Sequence, residues 1–256
     1  MKKRILILST ILAALCFTAF AFNNKYSSKK NEKVKEIPET KTVKNNTEPD
    51  FIYDIGPRFN SIKKEDLHNI TSIHSFIKKD DINTIPNIKS VELIVIENDL
   101  VSNKKEIGNS LELTNKQLAL LKSFDYSSHF SVKINGFSKD NLIKNTFSPY
   151  FTIVPETQAE YIYGKKALVK YFKDNTRTIT KDIPEDKLKP AKLYFTVTKY
   201  GTIKHVKLDR SCGYPEIDNL MVNLINTTPG GWIPATNTKQ ETVNQELVVS
   251  FGLLGC

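Results

Sequence analysis

The spacing of apolar residues predicts a mixed α+β protein. Apolar and polar positions alternate over residues 192–198 and 202–209, which is typical of two strands. Tyr200-Gly201 between them predicts a two-residue hairpin turn, because glycine supplies the positive φ that such turns need. A last alternating stretch, 243–251, predicts a further strand.

Two helices are predicted beside these strands. Residues 165–175 carry one apolar stripe, and Pro215 suits the first turn of a second helix. That second helix is indicated by apolar residues at helical spacing: Ile217, Leu220, Met221, Leu224 and Ile225. Helix, hairpin, helix and strand, in this order, predict a three-stranded antiparallel sheet with both helices on one face.

A second, small α+β domain is predicted over residues 51–154. Apolar residues recur at helix-like spacing in 61–79, and Thr114-x-x-Gln117 is a capping box that opens a short helix. Further strands are predicted at 90–96, 130–134, 150–154 and 159–163, the last of which leads into the next domain.

The N-terminus has the pattern of an export segment. A basic start is followed by an apolar run over 5–22, and Ala19-Phe-Ala21 is a small-x-small cleavage pattern. The sequence leaves three alternatives: a cleaved signal peptide over 1–21, an uncleaved inner-membrane anchor, or a lipoprotein modified at Cys16. All three predict export to the periplasm, with or without a tether to the inner membrane.

Residues 22–50 are predicted to be a polar, flexible linker, since they have almost no apolar periodicity. The formal net charge of +9 comes from 37 Lys and Arg against 28 Asp and Glu, and it is spread along the chain. A nucleic-acid-binding domain concentrates its basic charge, so that class of protein is not expected.

Nothing in the pattern points to catalysis. The four histidines have no Cys or carboxylate at metal-ligand spacing, and neither a Gly-rich phosphate loop nor a nucleophile elbow is present. We therefore expect no catalytic residue, no cofactor and no metal. An enzyme within 51–154 is a further alternative.

The C-terminal hundred residues carry motifs that narrow the fold. In order they are Tyr200-Gly-x-Ile203, Val206-x-Leu208-x-Arg210-Ser211, Gly213-Tyr-Pro-x-Ile-Asp218, Pro229-x-x-Trp232-x-Pro234 and the strand 243–251. This ordered set resembles the C-terminal domain of the TonB family, the periplasmic end of a bacterial energy transducer. The resemblance covers about residues 155–256 and is nearest to the longer form of that domain, which begins with a helix.

The resemblance implies a binding module in transport across the cell envelope. In the family, the last strand offers a free edge to which a receptor peptide, the TonB box, adds as a further strand. The partner would be an outer-membrane receptor, and an ExbB–ExbD-type motor would be a partner only if the N-terminal run is an anchor. Carried over, the partner-binding edge consists of Asn244, Gln245, Glu246, Val248 and Ser250. Leu247, Val249, Phe251 and Trp232 are expected to be packing residues.

Three features depart from the transducer pattern, and one is the cleavage pattern Ala19-Phe-Ala21 at the end of the apolar run. The linker has only two prolines, Pro38 and Pro49, where a transducer has a long proline-rich rod, and the apolar run contains no histidine. The alternative is therefore a periplasmic or secreted adaptor, not coupled to energy, that uses the same domain for another envelope partner. In an exported protein, Cys212 and Cys256 are also a candidate disulfide.

Overall fold

Two β-sheets organise the part of the chain that the computed structural model describes, which is residues 51–83, 85–97, 100–184 and 187–252. These residues lie in one compact unit. The predicted export segment with Ala19 and Ala21, and the predicted linker 22–50, fall outside the described residues. The protein belongs to the mixed α+β class, as predicted.

The strands are numbered β1 to β14 and the helices α1 to α4. The strands are β1 (Ile52–Gly56), β2 (Asn60–Lys63), β3 (Asn87–Glu97), β4 (Leu100–Gly108), β5 (His129–Phe137), β6 (Lys144–Phe147), β7 (Tyr150–Val154), β8 (Glu160–Tyr161), β9 (Ala191–Val197), β10 (Ile203–Arg210), β11 (Trp232–Ile233), β12 (Ala235–Thr236), β13 (Thr242–Val243) and β14 (Gln245–Gly252). The helices are α1 (Lys79–Ile82), α2 (Asn115–Lys122), α3 (Gly164–Thr180) and α4 (Pro215–Asn226).

The larger sheet has the strand order β2-β7-β5-β3-β4, and β6 also pairs with β5. All its pairs are antiparallel except β2 with β7. Its core is built on the central strands β3 and β5, where Val91, Leu93, Phe130 and Val132 are fully buried. The strands predicted at 90–96, 130–134 and 150–154 are confirmed, and β3 and β5 extend beyond the predicted ranges.

The helix predicted over 61–79 is wrong. This stretch forms β2, two 3₁₀ turns at Glu65–His68 and Ile73–Ser75, and then α1. Its apolar spacing reflects burial of Leu67 and Ile73 beneath the sheet rather than helical winding. Ser72 caps the second 3₁₀ turn: its hydroxyl accepts from the His74 N–H and donates to the Leu111 carbonyl.

The capping box at Thr114 is confirmed. Its hydroxyl accepts from the Gln117 N–H at 3.3 Å, and the Gln117 side-chain oxygen accepts from the Thr114 N–H at 3.0 Å. Gln117 is fully buried, and its amide donates to the Val91 carbonyl at 2.9 Å. The same residue therefore starts α2 and attaches it to β3.

The smaller sheet has the order β1-β14-β9-β10, and all its pairs are antiparallel. The predicted strands at 192–198, 202–209 and 243–251 are present as β9, β10 and β14. The hairpin is present, but its connection is three residues, 199–201, rather than the predicted two: the Thr198 N–H donates to the Thr202 carbonyl and the Gly201 N–H to the Thr198 carbonyl, each at 2.9 Å, and Gly201 has a φ of +74°. The sheet has a fourth strand, β1, which the sequence analysis assigned to the domain 51–154.

Both long helices share one apolar core with this sheet. Leu168 and Phe172 of α3, and Met221 and Ile225 of α4, lie in the cluster that contains the inward-facing residues of β9 and β14. The inward-facing residues are Leu193, Phe195, Val197, Leu247, Val249 and Phe251. α4 begins at Pro215 as predicted, and α3 runs five residues beyond its predicted end.

The segment 159–163 is a strand only at Glu160 and Tyr161, where β8 pairs with β11 in a separate two-stranded ribbon. No helix in the described part of the chain combines the length and the apolar character needed to cross a membrane.

Candidate functional site

The predicted partner-binding edge is not free. β14 lies between β9 and β1, and on its β1 side Val248 is opposite Gly56 and Ser250 is opposite Asp54. The expectation that the last strand presents an open edge is therefore wrong for this structure. The physical reason is that a strand edge left open exposes unpaired N–H and C=O groups, and β1 satisfies them.

The three residues at the start of the predicted edge are also engaged within the chain. The Asn244 side-chain oxygen accepts from the Lys199 N–H at 2.8 Å. Gln245 is 1% exposed, and its side-chain oxygen accepts from the Ala159 N–H at 2.7 Å. The Glu246 N–H donates to the Ser127 hydroxyl at 2.8 Å, so this part of the edge is closed by a loop of the other sheet.

Aromatic side chains hold β1 in place. Tyr53 is 6% exposed, and its ring centroid lies 5.4 Å from that of Phe51 and 5.7 Å from that of Phe172 in α3. The Tyr53 hydroxyl forms a hydrogen bond with the Thr176 hydroxyl. Burial raises the pKa of Tyr53 to about 12, since the phenolate has little water around it. The strand is therefore part of the core and not a loosely attached segment.

The sequence contained a signal for β1 that the sequence analysis did not use. Phe51, Tyr53 and Ile55 alternate with polar or half-buried residues, which is the pattern of a strand with one buried face. Even with the strand recognised, its partner could not be deduced, because β1 and β14 are close to opposite ends of the described chain.

A small pocket of about 250 Å³ lies next to Gly56, at the C-terminal end of β1. Its lining is mainly apolar and includes Ile55, Tyr161, Leu168, Trp232 and Leu247. It lies on the face of the sheet that carries α3. A strand longer than β1 along this edge would place its next inward-facing side chain opposite Leu247, beside this pocket.

A larger cleft of about 480 Å³ lies where the two sheets meet. The imidazole of His129 lies in its wall, with Nε2 3.2 Å from the Glu246 carboxylate and Nδ1 3.0 Å from the Thr152 hydroxyl. Titratable groups line the cleft throughout: Glu97, Lys104, His129, Tyr194, His205, Lys207 and Glu246. Burial raises the pKa of Tyr194 well above its usual range.

The serine hydroxyls of this cleft form hydrogen bonds with backbone groups. Ser127 accepts from the Glu246 N–H, and Ser128 accepts from the Asp125 N–H at 3.1 Å. The imidazole of His129 is within hydrogen-bonding distance of Thr152 in the larger sheet and Glu246 in the smaller one. This arrangement connects the two sheets and does not pair a serine nucleophile with a base. Among the described residues, no group of three His, Cys, Asp or Glu side chains is placed to hold a metal ion.

Cys212 is fully buried, and burial raises the pKa of its thiol to about 12. Its N–H donates to the Asp218 carboxylate at 3.0 Å, which connects the hairpin to the start of α4. Cys256, the other half of the candidate disulfide, lies outside the described residues, so the pairing stays a prediction.

The expected packing residues of β14 are confirmed as buried: Leu247, Val249 and Phe251 are each at most 2% exposed. Trp232 is 7% exposed, with its ring 5.1 Å from that of Phe195 and 5.7 Å from that of Tyr161, so it is a core residue as expected.

No protein-family model matches this chain, and comparisons with curated proteins and with solved structures likewise found no match.

Proposed function

We propose that this protein is an exported, non-catalytic binding protein of the cell envelope whose C-terminal unit is TonB-like. It would recognise an extended segment of a partner by strand addition, and the partner would be a TonB-dependent outer-membrane receptor in transmembrane transport. The order of α3, the β9–β10 hairpin, α4 and β14 supports this proposal, together with the shared core of the two helices and the sheet.

The observation that carries the proposal is the pairing of β1 with β14. It is a strand addition made within the chain: a five-residue segment lies antiparallel on the edge of β14 and buries alternate side chains against α3. The same edge can accept a partner strand of matching pattern if β1 leaves. Main-chain hydrogen bonds would supply affinity, and the sites of Phe51 and Tyr53 would select large apolar side chains.

A second candidate function follows from how firmly β1 is held. Phe51 and Tyr53 are both 6% exposed and belong to the core that contains Phe172. If β1 never leaves, strand addition at β14 is blocked. The protein would then be an adaptor that binds another envelope partner through a different surface, without energy coupling.

A reversible crosslink between β1 and β14 separates the two candidates. Asp54 and Ser250 are directly opposite each other, a geometry in which Cβ atoms lie about 4.5–5.5 Å apart, so a disulfide requires the two strands to approach by about 1 Å. We would make Asp54→Cys with Ser250→Cys, and replace Cys16 and Cys256 by Ser to prevent other pairings. Binding of receptor TonB-box peptides would be measured by calorimetry before and after reduction.

Under strand addition, the oxidised variant does not bind the peptides and the reduced variant binds them as the parent chain does. A matched control with only Asp54→Cys removes the Asp54–Lys165 ion pair without the crosslink. If neither the parent nor the reduced variant binds the peptides at millimolar concentration, the receptor-binding function is rejected and the adaptor function is retained. Equal binding in the oxidised and reduced states would place the peptide elsewhere than on β14.

A further inference from the structure

The turn between β5 and β6 exposes two adjacent aliphatic side chains. Leu142 is 81% exposed and Ile143 is 60% exposed, and they follow one another at the end of the larger sheet. We call residues 138–143 the apolar tip. Aliphatic residues scattered singly on a surface need no explanation, but a pair at the end of a hairpin is a candidate contact surface.

The apolar tip is held in one shape by its own polar groups. The Ser138 N–H donates to the Ile143 carbonyl at 2.8 Å, and the Ser138 hydroxyl accepts from the Ile143 N–H at 3.1 Å. The Asp140 carboxylate accepts from the Ser138 hydroxyl and, at 3.1 Å, from the Leu142 N–H. These contacts within the turn hold Leu142 and Ile143 at its exposed surface.

Asn87 of β3 also holds the turn in place through its side chain. Its side-chain amide donates to the Ser138 carbonyl at 2.9 Å and to the Asn141 side-chain oxygen at 2.9 Å. Asn141 adopts a φ of +62°, which asparagine tolerates better than most residues. Because these backbone and side-chain groups already have partners, the tip would lose few hydrogen bonds with water on entering an apolar surrounding.

The charge around the tip favours a negatively charged partner surface. Lys139 and Lys144 flank the two aliphatic residues, and Lys89 is next in β3 to Ile88, which pairs with Gly136. All three lysines are exposed, and the apolar tip itself carries only one acidic side chain, that of Asp140. Ile85, which follows α1 in the chain, lies beside Gly136 near the same end, and the charges at α1 cancel: Lys78, Lys79, Asp80 and Asp81.

We propose that the apolar tip binds an anionic lipid bilayer, with Leu142 and Ile143 entering the interface and the lysines contacting the headgroups. Aliphatic residues flanked by basic residues bind membranes by combining apolar burial with attraction to anionic lipid. This contact is independent of strand addition at β14, and it would orient the folded part of the chain on a membrane surface.

The experiment uses the full-length chain in vesicles and measures tryptophan fluorescence at the tip. The sequence has one tryptophan, Trp232, which is buried, so its signal in the parent chain can be subtracted. Leu142→Trp reports on the tip. Leu100→Trp is the matched control, because Leu100 is 71% exposed and follows β3 at the opposite end of that strand, about 30 Å away at 3.3 Å per residue.

In vesicles of phosphatidylethanolamine and phosphatidylglycerol that contain brominated lipid, we expect quenching and a blue shift for Leu142→Trp and little change for Leu100→Trp. Adding Lys139→Gln and Lys144→Gln should lower the quenching by about half or more, since each lysine near an anionic surface contributes to binding. Circular dichroism checks that the exposed substitutions leave the fold intact.

Three results would overturn the inference. One is equal quenching of the Leu142→Trp and Leu100→Trp variants, which would mean that the whole surface approaches the bilayer without preference. Another is quenching of the same size in neutral phosphatidylcholine vesicles, which would remove the role of the lysines. The third is a blue shift without vesicles that grows with protein concentration, which would assign the tip to contact between copies of the chain.

Discussion

Tyr53 lies directly opposite Phe251 in the antiparallel pair formed by β1 and β14. The first strand that the structure describes therefore shares its buried face with the last one, and both side chains belong to the core under α3 and α4. This contact joins the two regions that the sequence analysis treated as separate domains. It also explains why the edge of β14 is not available without a change in β1.

Truncating Tyr53 tests how firmly β1 is held. We expect Tyr53→Ala to lower the free energy of unfolding by about 3 kcal/mol, the usual cost of removing a buried aromatic ring. Urea unfolding followed by circular dichroism gives the measurement. The control is Ile52→Ala in the same strand, where the half-buried side chain should cost about 1 kcal/mol or less. Equal losses would mean that the aromatic ring does not fasten β1.

Alkaline pH should destabilise the protein through the same residue. The folded pKa of Tyr53 is about 12 against an ordinary value of 10.0, so between these pH values the unfolded chain loses the phenol proton first. Stability then falls as pH rises, by up to about 1.4 kcal/mol per pH unit for this group. Thermal unfolding at a series of pH values measures the slope.

Tyr53→Phe is the matched variant for this pH effect, since it keeps the ring and removes the titrating hydroxyl. The decline above pH 10 should become shallower without disappearing, because burial also raises the pKa of Tyr194 and of Cys212. An unchanged slope in Tyr53→Phe would contradict the assignment of the decline to Tyr53.

The hairpin turn at Gly201 should not tolerate a side chain. Gly201 has a φ of +74°, and a Cβ atom there would lie 2.3 Å from the Trp232 carbonyl oxygen. We expect Gly201→Ala to cost about 2 kcal/mol or more, because strain and close contact act together. Gly56→Ala is the control: nothing lies within 4 Å of its added Cβ, so its effect should stay within about 0.5 kcal/mol.

The mass of the protein isolated from its native envelope tests the N-terminal prediction. We expect a chain that begins at Phe22, following cleavage after Ala21. A motor in the inner membrane could not then be engaged through residues 5–22, and the adaptor function would gain support. A full-length mass in the inner-membrane fraction would instead identify the run as an anchor and favour the energy-coupled function.

The elements of the C-terminal unit were predictable because each has a local cause. Pro215 starts α4, Gly201 lies in the turn between β9 and β10, and the spacing of Leu247, Val249 and Phe251 marks β14. These signals act over a few residues, so a single sequence displays them. The capping box at Thr114 belongs to the same group.

Non-local pairing is what the sequence could not show. The order of apolar residues in 61–79 predicted a helix, yet contacts with residues 111–113 determine its path: the Ile73 N–H donates to the Leu111 carbonyl and the Leu113 N–H to the Thr71 carbonyl. The position of β1 beside β14 depends equally on residues far away in the chain. The last strand therefore lies where the sequence predicted it, whereas the pairing of β1 along its edge could not be foreseen.

The pairing of β1 with β14 also constrains how the chain can fold. Synthesis delivers β1 before any other described strand and β14 after all of them, so the smaller sheet cannot close until the C-terminal residues are available. Until then Phe51 and Tyr53 have no sheet to cover them, and contacts of such long sequence separation form slowly. The strands of the larger sheet lie closer together in sequence. We therefore expect the larger sheet to form before the smaller one.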